Sequence, residues 1–361
     1  MTSNKHGNEG GSEKEFLTLK LGNTSVGPRS TSLYKQMSQL RLDPLTGRWV
    51  AINAERRQRP NEYQSRKLDV EADPGRPCPF CPGRAETEPP TLVTPGPDGS
   101  WRVLVVPNLY PAFEGREPMV VEHLGPIFTQ ADASGMHEVL VVHPDHDSSW
   151  ADVDDEQAEY VMAAIAARAE AHSAMPELRY SQAIVNYGRE AGASLQHPHG
   201  QLLGLPFVPG EIVGEQLGFD RFSGACLLCT TIEAELDAGA RIVYSDDRVV
   251  VICPYWSGTP FEMLAIPRCH NGHLHTAELA DLGAVGIGLR NGLAAMRNAL
   301  GDVAYNIVFH SAPYRAQGTF HWHAHVYPKV TTRAGFELGT GVMINVVPPE
   351  EAAALLSATH V

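Results

Sequence analysis

The sequence predicts an α+β fold of two tandem copies of one unit, each an antiparallel sheet with flanking helices, joined in one pseudo-symmetric body. A Cys-x-x-Cys pair leads each half, Cys78/Cys81 and then Cys226/Cys229. The same order follows each pair: a strand delivering a histidine, a helix, a strand, and a histidine-rich strand. The spacings agree too, with 51 residues from His146 to His197 and 53 from His270 to His323. Gaps of 65 residues (Cys81 to His146) and 41 residues (Cys229 to His270) mark different insertions, so the copies have diverged.

Residues 1–35 are rich in Gly, Ser, Asn and Lys without apolar periodicity, and they read as a disordered tail. The first unit is expected over 36–210 and carries the active site; the second spans 211–361. Order begins near Leu40–Ile52, a turn between short strands. Next comes Arg56-Arg57-Gln58-Arg59, a candidate phosphate clamp, because guanidinium forks match phosphate oxygens. Strands are expected at Arg102–Asn108, Met136–His146 and Tyr180–Asn186. Between the last two, Ala158, Val161, Ile165 and Ala169 keep helical spacing from Asp152 to about Met175. The second unit offers strands at Arg241–Tyr244, Val249–Ile252, Phe261–Pro267, Tyr305–His310 and Phe320–Tyr327. Its helix, marked by Leu282, Val285, Leu289, Leu293, Met296 and Leu300, is weakened by four glycines.

The chain has 361 residues, a net charge of −14 and a pI near 5.6. That balance argues against a nucleic-acid partner, which needs clustered Lys and Arg, but not against a small anion. With no apolar run of membrane length and no charged-then-apolar leader, a cytoplasmic protein with no membrane partner is expected. In that compartment Cys-x-x-Cys points to metal or redox chemistry.

Zinc takes about four N or S ligands, and a Cys-x-x-Cys knuckle supplies two. Cys78, Cys81, His146 and His197 would complete one structural site. By repeat symmetry, Cys226, Cys229, His270 and His323 would complete a second. A thioredoxin-like dithiol is the weaker reading, since neither pair is expected to open a helix after a strand.

The most informative stretch is Gly192–Gln201, ending His197-Pro198-His199-Gly200-Gln201. In an extended segment alternate side chains share a face. One imidazole can then serve a metal, the next stays free as a nucleophile, and an amide lies beside it, with Ser194 just upstream.

These residues resemble the galactose-1-phosphate uridylyltransferase family of the histidine-triad superfamily, from about Leu40 to the C-terminus. The most specific match is Ser194 to Gln201, the family's Ser-x-x-His-Pro-His-Gly-Gln. Others are Arg56 to Pro60, Val105 to Asn108, Pro-Asp-His at His146, Asn186, His310-Ser-Ala-Pro, His323-Ala-His-x-Tyr-Pro and Gly335-Phe-Glu337. The resemblance implies tandem histidine-triad-like units, with His199 as covalent nucleophile and His197 on a structural zinc. It places Ser194 and Gln201 in the catalytic group. Arg56, Arg59, Asn108 and Asn186 fall on nucleotide-sugar contacts, and Gly335 and Glu337 on a sugar-reaching segment of a homodimer.

The implied activity moves UMP from UDP-glucose to galactose 1-phosphate by a ping-pong route, with UDP-hexose and hexose 1-phosphate as partners. The rival reading is an ADP-sugar phosphorylase of the same family. A non-catalytic zinc-containing nucleotide-binding module stands behind both. Some members hold iron instead of a second zinc, and Glu215, His310, His323 and His325 would reproduce that site. Both arrangements claim His323; the two thiols and His270 assign the second site to zinc.

Overall fold

Strand patterning here builds one continuous sheet rather than two. The structure is a computed structural model that describes residues 38–58, 77–84 and 89–358; the expected tail lies outside them. In chain order the strands are β1 (Gln39–Leu42), β2 (Trp49–Ile52), β3 (Leu92–Pro95), β4 (Trp101–Pro107), β5 (Glu122–His123), β6 (Thr129–Gln130) and β7 (Met136–Val141). After helix α1 (Asp155–Ser173) come β8 (Tyr180–Tyr187), β9 (His199–Leu205), α2 (Gly210–Arg221) and α3 (Leu227–Ala238). The second half continues with β10 (Ile242–Ser245), β11 (Val249–Ile252), β12 (Met263–Pro267), α4 (Leu279–Leu300), β13 (Tyr305–His310) and β14 (His323–Pro328). The chain closes with α5 (Gly335–Thr340), β15 (Met343–Asn345) and α6 (Pro349–Ser357).

Ten of these strands form a single sheet in the order β10-β11-β12-β14-β13-β8-β9-β7-β4-β3. Read inward from either edge, three successive strands are followed by the fifth and then the fourth. The two halves therefore share one topology, and they meet where β8 pairs antiparallel with β13, Asn306 opposite Asn186. The expected boundary at 210/211 falls at the start of α2. A smaller sheet pairs β1 with β2 and adds β15 in parallel. Among the described residues no helix is long and apolar enough to cross a membrane.

Helices α1 and α4 pack together on one face of the large sheet. Helix α1 starts where Asp154 accepts the Gln157 N–H at 2.7 Å, with Asp155 and Glu156 in the first turn complementing the helix dipole. It buries Val161, Met162 and Ile165 against Leu282, Val285 and Leu289 of α4. The glycines of α4 do not break it. At Gly286 a Cβ would sit 2.8 Å from the Ala158 carbonyl oxygen of α1. The roughly 1 kcal/mol that glycine costs a helix interior is offset by this close approach and the packing it allows.

Candidate active site and metal-binding groups

With α1 and α4 covering one face, the polar residues of β9 and its neighbours collect on the other. Gly200 pairs with Leu140 of β7 and Val185 of β8, so His199 and Gln201 point away from the helix-covered core. Gly200 has no room for a side chain, because a Cβ would lie 2.7 Å from the Ile184 carbonyl oxygen. The glycine between the two functional residues thus lets β9 sit tight against β8.

His199 is buried, and its Nδ1–H donates to the His197 carbonyl at 2.8 Å. A carbonyl can only accept, so the neutral ring keeps its lone pair on Nε2. Burial holds His199 below its ordinary pKa, partly opposed by that hydrogen bond. The imidazole is therefore neutral and nucleophilic near pH 7. His199 borders a cleft with Asn186, Gly188 and Gln196, and the Phe80 ring packs against its imidazole at 5.4 Å between centroids.

Gln201 is oriented by a residue the sequence reading missed. The Ala112 N–H donates to His137 Nδ1 at 3.0 Å, which puts the ring proton on Nε2, and Nε2–H donates to Gln201 Oε1 at 2.8 Å. With its oxygen held, Gln201 has only N–H groups left to offer. Asn108 is fixed beside this pair: its Oδ1 accepts the Tyr110 N–H, and its amide nitrogen lies 3.1 Å from His137 Nε2.

Among the described residues three groups of side chains have the geometry to hold metal, each with ligand atoms within 4.8 Å of one another. The first is Cys78, Cys81, His146 and His197, joining the knuckle, the loop after β7 and the entry to β9. His197 Nε2–H donates to the His143 carbonyl at 2.8 Å, which leaves Nδ1 to face Cys81 Sγ at 3.8 Å. This is how a ligating histidine is oriented by its surroundings. Burial lowers its pKa to about 4, so the ring is in its ligating, neutral form.

The second group corrects the sequence reading. Cys226, Cys229 and His270 are joined by His321, not His323. His321 Nε2–H donates to the Pro267 carbonyl at 2.9 Å, and Nδ1 lies 3.6 and 3.5 Å from the two sulfurs. The register is therefore His197 with His321 and His199 with His323. His270 to His321 is 51 residues, the same as His146 to His197. His323 is held elsewhere, because its Nδ1–H donates to the His321 carbonyl at 2.8 Å, as His199 does to His197. Cys226 also caps the start of α3, so this pair does open a helix, although it follows α2 rather than a strand. Burial and the neighbouring Cys226 push the Cys229 thiol up to about 12, so this sulfur becomes a thiolate only against a cation.

The third group is Glu215, His310, His323 and His325, all buried. Glu215 Oε1 lies 2.8 Å from His310 Nδ1, and His323 Nε2 lies 3.1 Å from His325 Nε2. Glu215 Oε2 is buried without a hydrogen-bond partner, 3.6 Å from His323 Nε2, which suits a cation among these four. Because His321 completes the thiol group, the second and third groups share no residue. The expected competition for His323 does not arise.

Other expected site residues are less assembled. Asn186 lines the His199 cleft. Ser194 is exposed on the turn before β9. Arg56 stands in the turn after β2, its Nε buried without a partner, while Arg59 and the side chain of Arg57 lie outside the described residues. Gly335 and Glu337 open the exposed α5, where Glu337 Oε2 accepts the Ala334 N–H at 3.0 Å, and neither lines the His199 cleft.

Beneath His137, Glu138 anchors β7 to α1. It is buried and takes Arg168 Nε and Nη2 at 2.9 and 2.8 Å, with His172 Nε2 at 3.2 Å. Burial alone would raise this carboxyl, but His172 and Arg168 bring it down to about 2. Its stabilisation is therefore present above the ordinary carboxylate range and lost as pH falls toward 2. Glu138→Gln, which leaves Arg168 without its charge partner, is expected to cost roughly 3 kcal/mol at pH 7. Urea unfolding followed from pH 7 to 2 should show a shallower acid limb in the variant; parallel limbs would contradict the assignment.

Comparison with known proteins agrees with this geometry. The family profile described as galactose-1-phosphate uridyl transferase, N-terminal domain, matches residues 29–209. ADP-glucose phosphorylase of Arabidopsis thaliana is 30% identical over 348 residues, 91% of this chain and 95% of that protein. Galactose-1-phosphate uridylyltransferase of Thermotoga maritima is 29% identical over 347 residues, 90% of this chain and 99% of that protein. The crystal structure of an Arabidopsis thaliana ADP-glucose phosphorylase with bound ADP-glucose superposes with a TM-score of 0.76 at 28% identity, covering 90% of this chain and 100% of that one. The repeated topology, the His199 cleft and these likenesses place the chain in the galactose-1-phosphate uridylyltransferase family of nucleotidyltransferases.

Proposed function

We propose that the protein transfers a nucleoside monophosphate from a nucleoside diphosphate sugar to a phosphate-bearing acceptor, through a covalent intermediate on His199. The observation that carries this reading is the His199 ring itself, buried in the cleft with Nδ1–H tied to the His197 carbonyl and Nε2 free. Nε2 attacks the α-phosphorus, a P–N bond forms, and the bond to the bridging oxygen breaks as sugar 1-phosphate leaves. The ring becomes cationic, and the His197 carbonyl that accepts its Nδ1–H stabilises that charge. An acceptor phosphate oxygen then attacks the same phosphorus and the P–N bond breaks, a two-step covalent route. Gln201, its oxygen held by His137, gives N–H to the phosphoryl oxygens.

ADP-glucose with inorganic phosphate as acceptor is the favoured substrate pair, supported by likeness in both sequence and structure to the Arabidopsis phosphorylase. Uridylyl exchange between UDP-glucose and galactose 1-phosphate is the second reading, supported by the Thermotoga relative. The Cys2His2 groups suit zinc by ligand softness, and the glutamate–histidine group suits iron or zinc. The first group ties down the entry to β9, which presents His199, and none of the three supplies the reacting atom.

The test uses ADP-glucose and UDP-glucose labelled at the α-phosphorus. Acid-labile, base-stable label on the protein is expected, formed at least tenfold faster from ADP-glucose, a discrimination of about 1.4 kcal/mol. Faster labelling from UDP-glucose would reverse the choice of base. No label from either, with nucleotide still bound, would leave a binding module without turnover.

A further inference from the structure

The contact between the two halves places one side chain of β13 against the active-site turn. We propose that Asn306, contributed by the second half, is a positioning residue that fixes the polarity of Asn186 and thereby its hydrogen bonds to the transferring phosphoryl group. This rests on the nucleotidyl-transfer reading above. Asn306 sits directly opposite Asn186 where β13 pairs with β8. Its Nδ2 donates twice, to Asn186 Oδ1 at 2.7 Å and to the Ala191 carbonyl at 2.8 Å. The Ala191 carbonyl can only accept, so the Asn306 nitrogen must face the turn. The atom of Asn186 that meets it must then be oxygen.

Consequently Asn186 has its acceptor occupied and turns its N–H2 away from Asn306. Asn186 and His199 line the same cleft. A phosphoryl group carries only acceptor oxygens, so the orientation decides the sign of the interaction: N–H toward the cleft attracts, a carbonyl oxygen repels. The second proton of Asn306 pins the turn itself. Ala191 ends the short helical turn Arg189–Ala191, between Gly188 at φ 85° and Gly192 at φ 87°, just before Ser194. One amide thus orders both a phosphate donor and the loop leading to β9. The adjoining rung is braced by Tyr187 stacked on Tyr305, 4.8 Å between centroids at 25°. Gln201 is set by the same logic from the other side through His137.

The isosteric Asn306→Asp variant separates orientation from packing. Its carboxylate accepts where the amide donated, so Asn186 would turn its N–H2 toward it and its oxygen toward the cleft. Asn306→Asp is expected to lower kcat/KM for the labelled sugar nucleotide roughly 10- to 100-fold, the worth of one hydrogen bond to a charged group. It should lose at least as much as Asn306→Ala, with a melting temperature no lower than that variant's. In an Asn186→Ala background either change should cost less than about threefold, because coupled residues are non-additive. Activity of Asn306→Asp within twofold of wild type would overturn the proposal, as would its full loss persisting without Asn186. If Asn186→Ala alone costs nothing, the phosphate-donor role of Asn186 falls, and the assignment to Asn306 falls with it. If the wild-type protein forms no labelled intermediate, the transfer reading fails by itself. Calorimetric affinity for AMP and UMP then decides the inference: about tenfold weaker in Asn306→Asp sustains it, and equal affinity overturns it.

Discussion

Replacing His199 by Ala is expected to abolish the phosphorus-labelled intermediate and lower turnover on the order of 10⁴-fold or more, the scale set by losing a covalent nucleophile. The ring offers the cleft a reactive nitrogen that is both unprotonated and fixed in direction, since its partner nitrogen is spent on the His197 carbonyl. Removing it leaves no neighbour that can substitute. His197 faces the thiols, and Gln201 has no nucleophilic atom. Stability should change far less, because one buried hydrogen bond and a modest cavity are lost. Labelling with the α-phosphorus probe beside a thermal melt checks both halves. A variant that labels at the wild-type rate would move the chemistry to another residue.

Metal removal should act in the opposite sense, on the fold before the chemistry. Elemental analysis of the purified protein is expected to return at least three metal ions per chain, one for each group of ligands among the described residues. Stripping the first group should lower the melting temperature by roughly 10 °C or more. Structural zinc contributes ~10–16 kcal/mol apparent in small peptides, and a degree of melting temperature is worth only a fraction of a kcal/mol in a chain of this size. The cluster ties three segments distant in sequence, Cys78/Cys81, His146 and His197. Cys81→Ser should reproduce the loss without chelator. It should leave His321 and its thiols loaded, since their ligands are separate. Calorimetry with and without chelator reads the effect; an unchanged melt would show that the thiols hold no structural ion.

Much of this was legible in the chain, for identifiable reasons. Strand and helix order followed from apolar periodicity. The alternation of His197, His199 and Gln201 followed from the two-residue repeat of a strand. His321 was missed because Phe320-His-Trp-His-Ala-His325 offers three histidines of one parity, and pattern alone does not choose among them. The equal 51-residue interval would have chosen. His137 and Asn306 carried no signal by themselves. Each is a single polar residue in a strand, and its meaning comes from the cross-strand neighbour that folding supplies. The glycines of α4 misled for a related reason: propensity counts their cost within the helix but not the partner helix they admit.

The pairing of β8 with β13 also decides what the active half can do by itself. A chain ending near residue 210 would bare the outer edge of β8, Tyr180–Tyr187, with a row of backbone donors and acceptors and no partner. Such an edge recruits strands from other molecules. The half that carries His199 therefore depends on the other half as a fixed cover for that edge, and fragments of it are expected to self-associate.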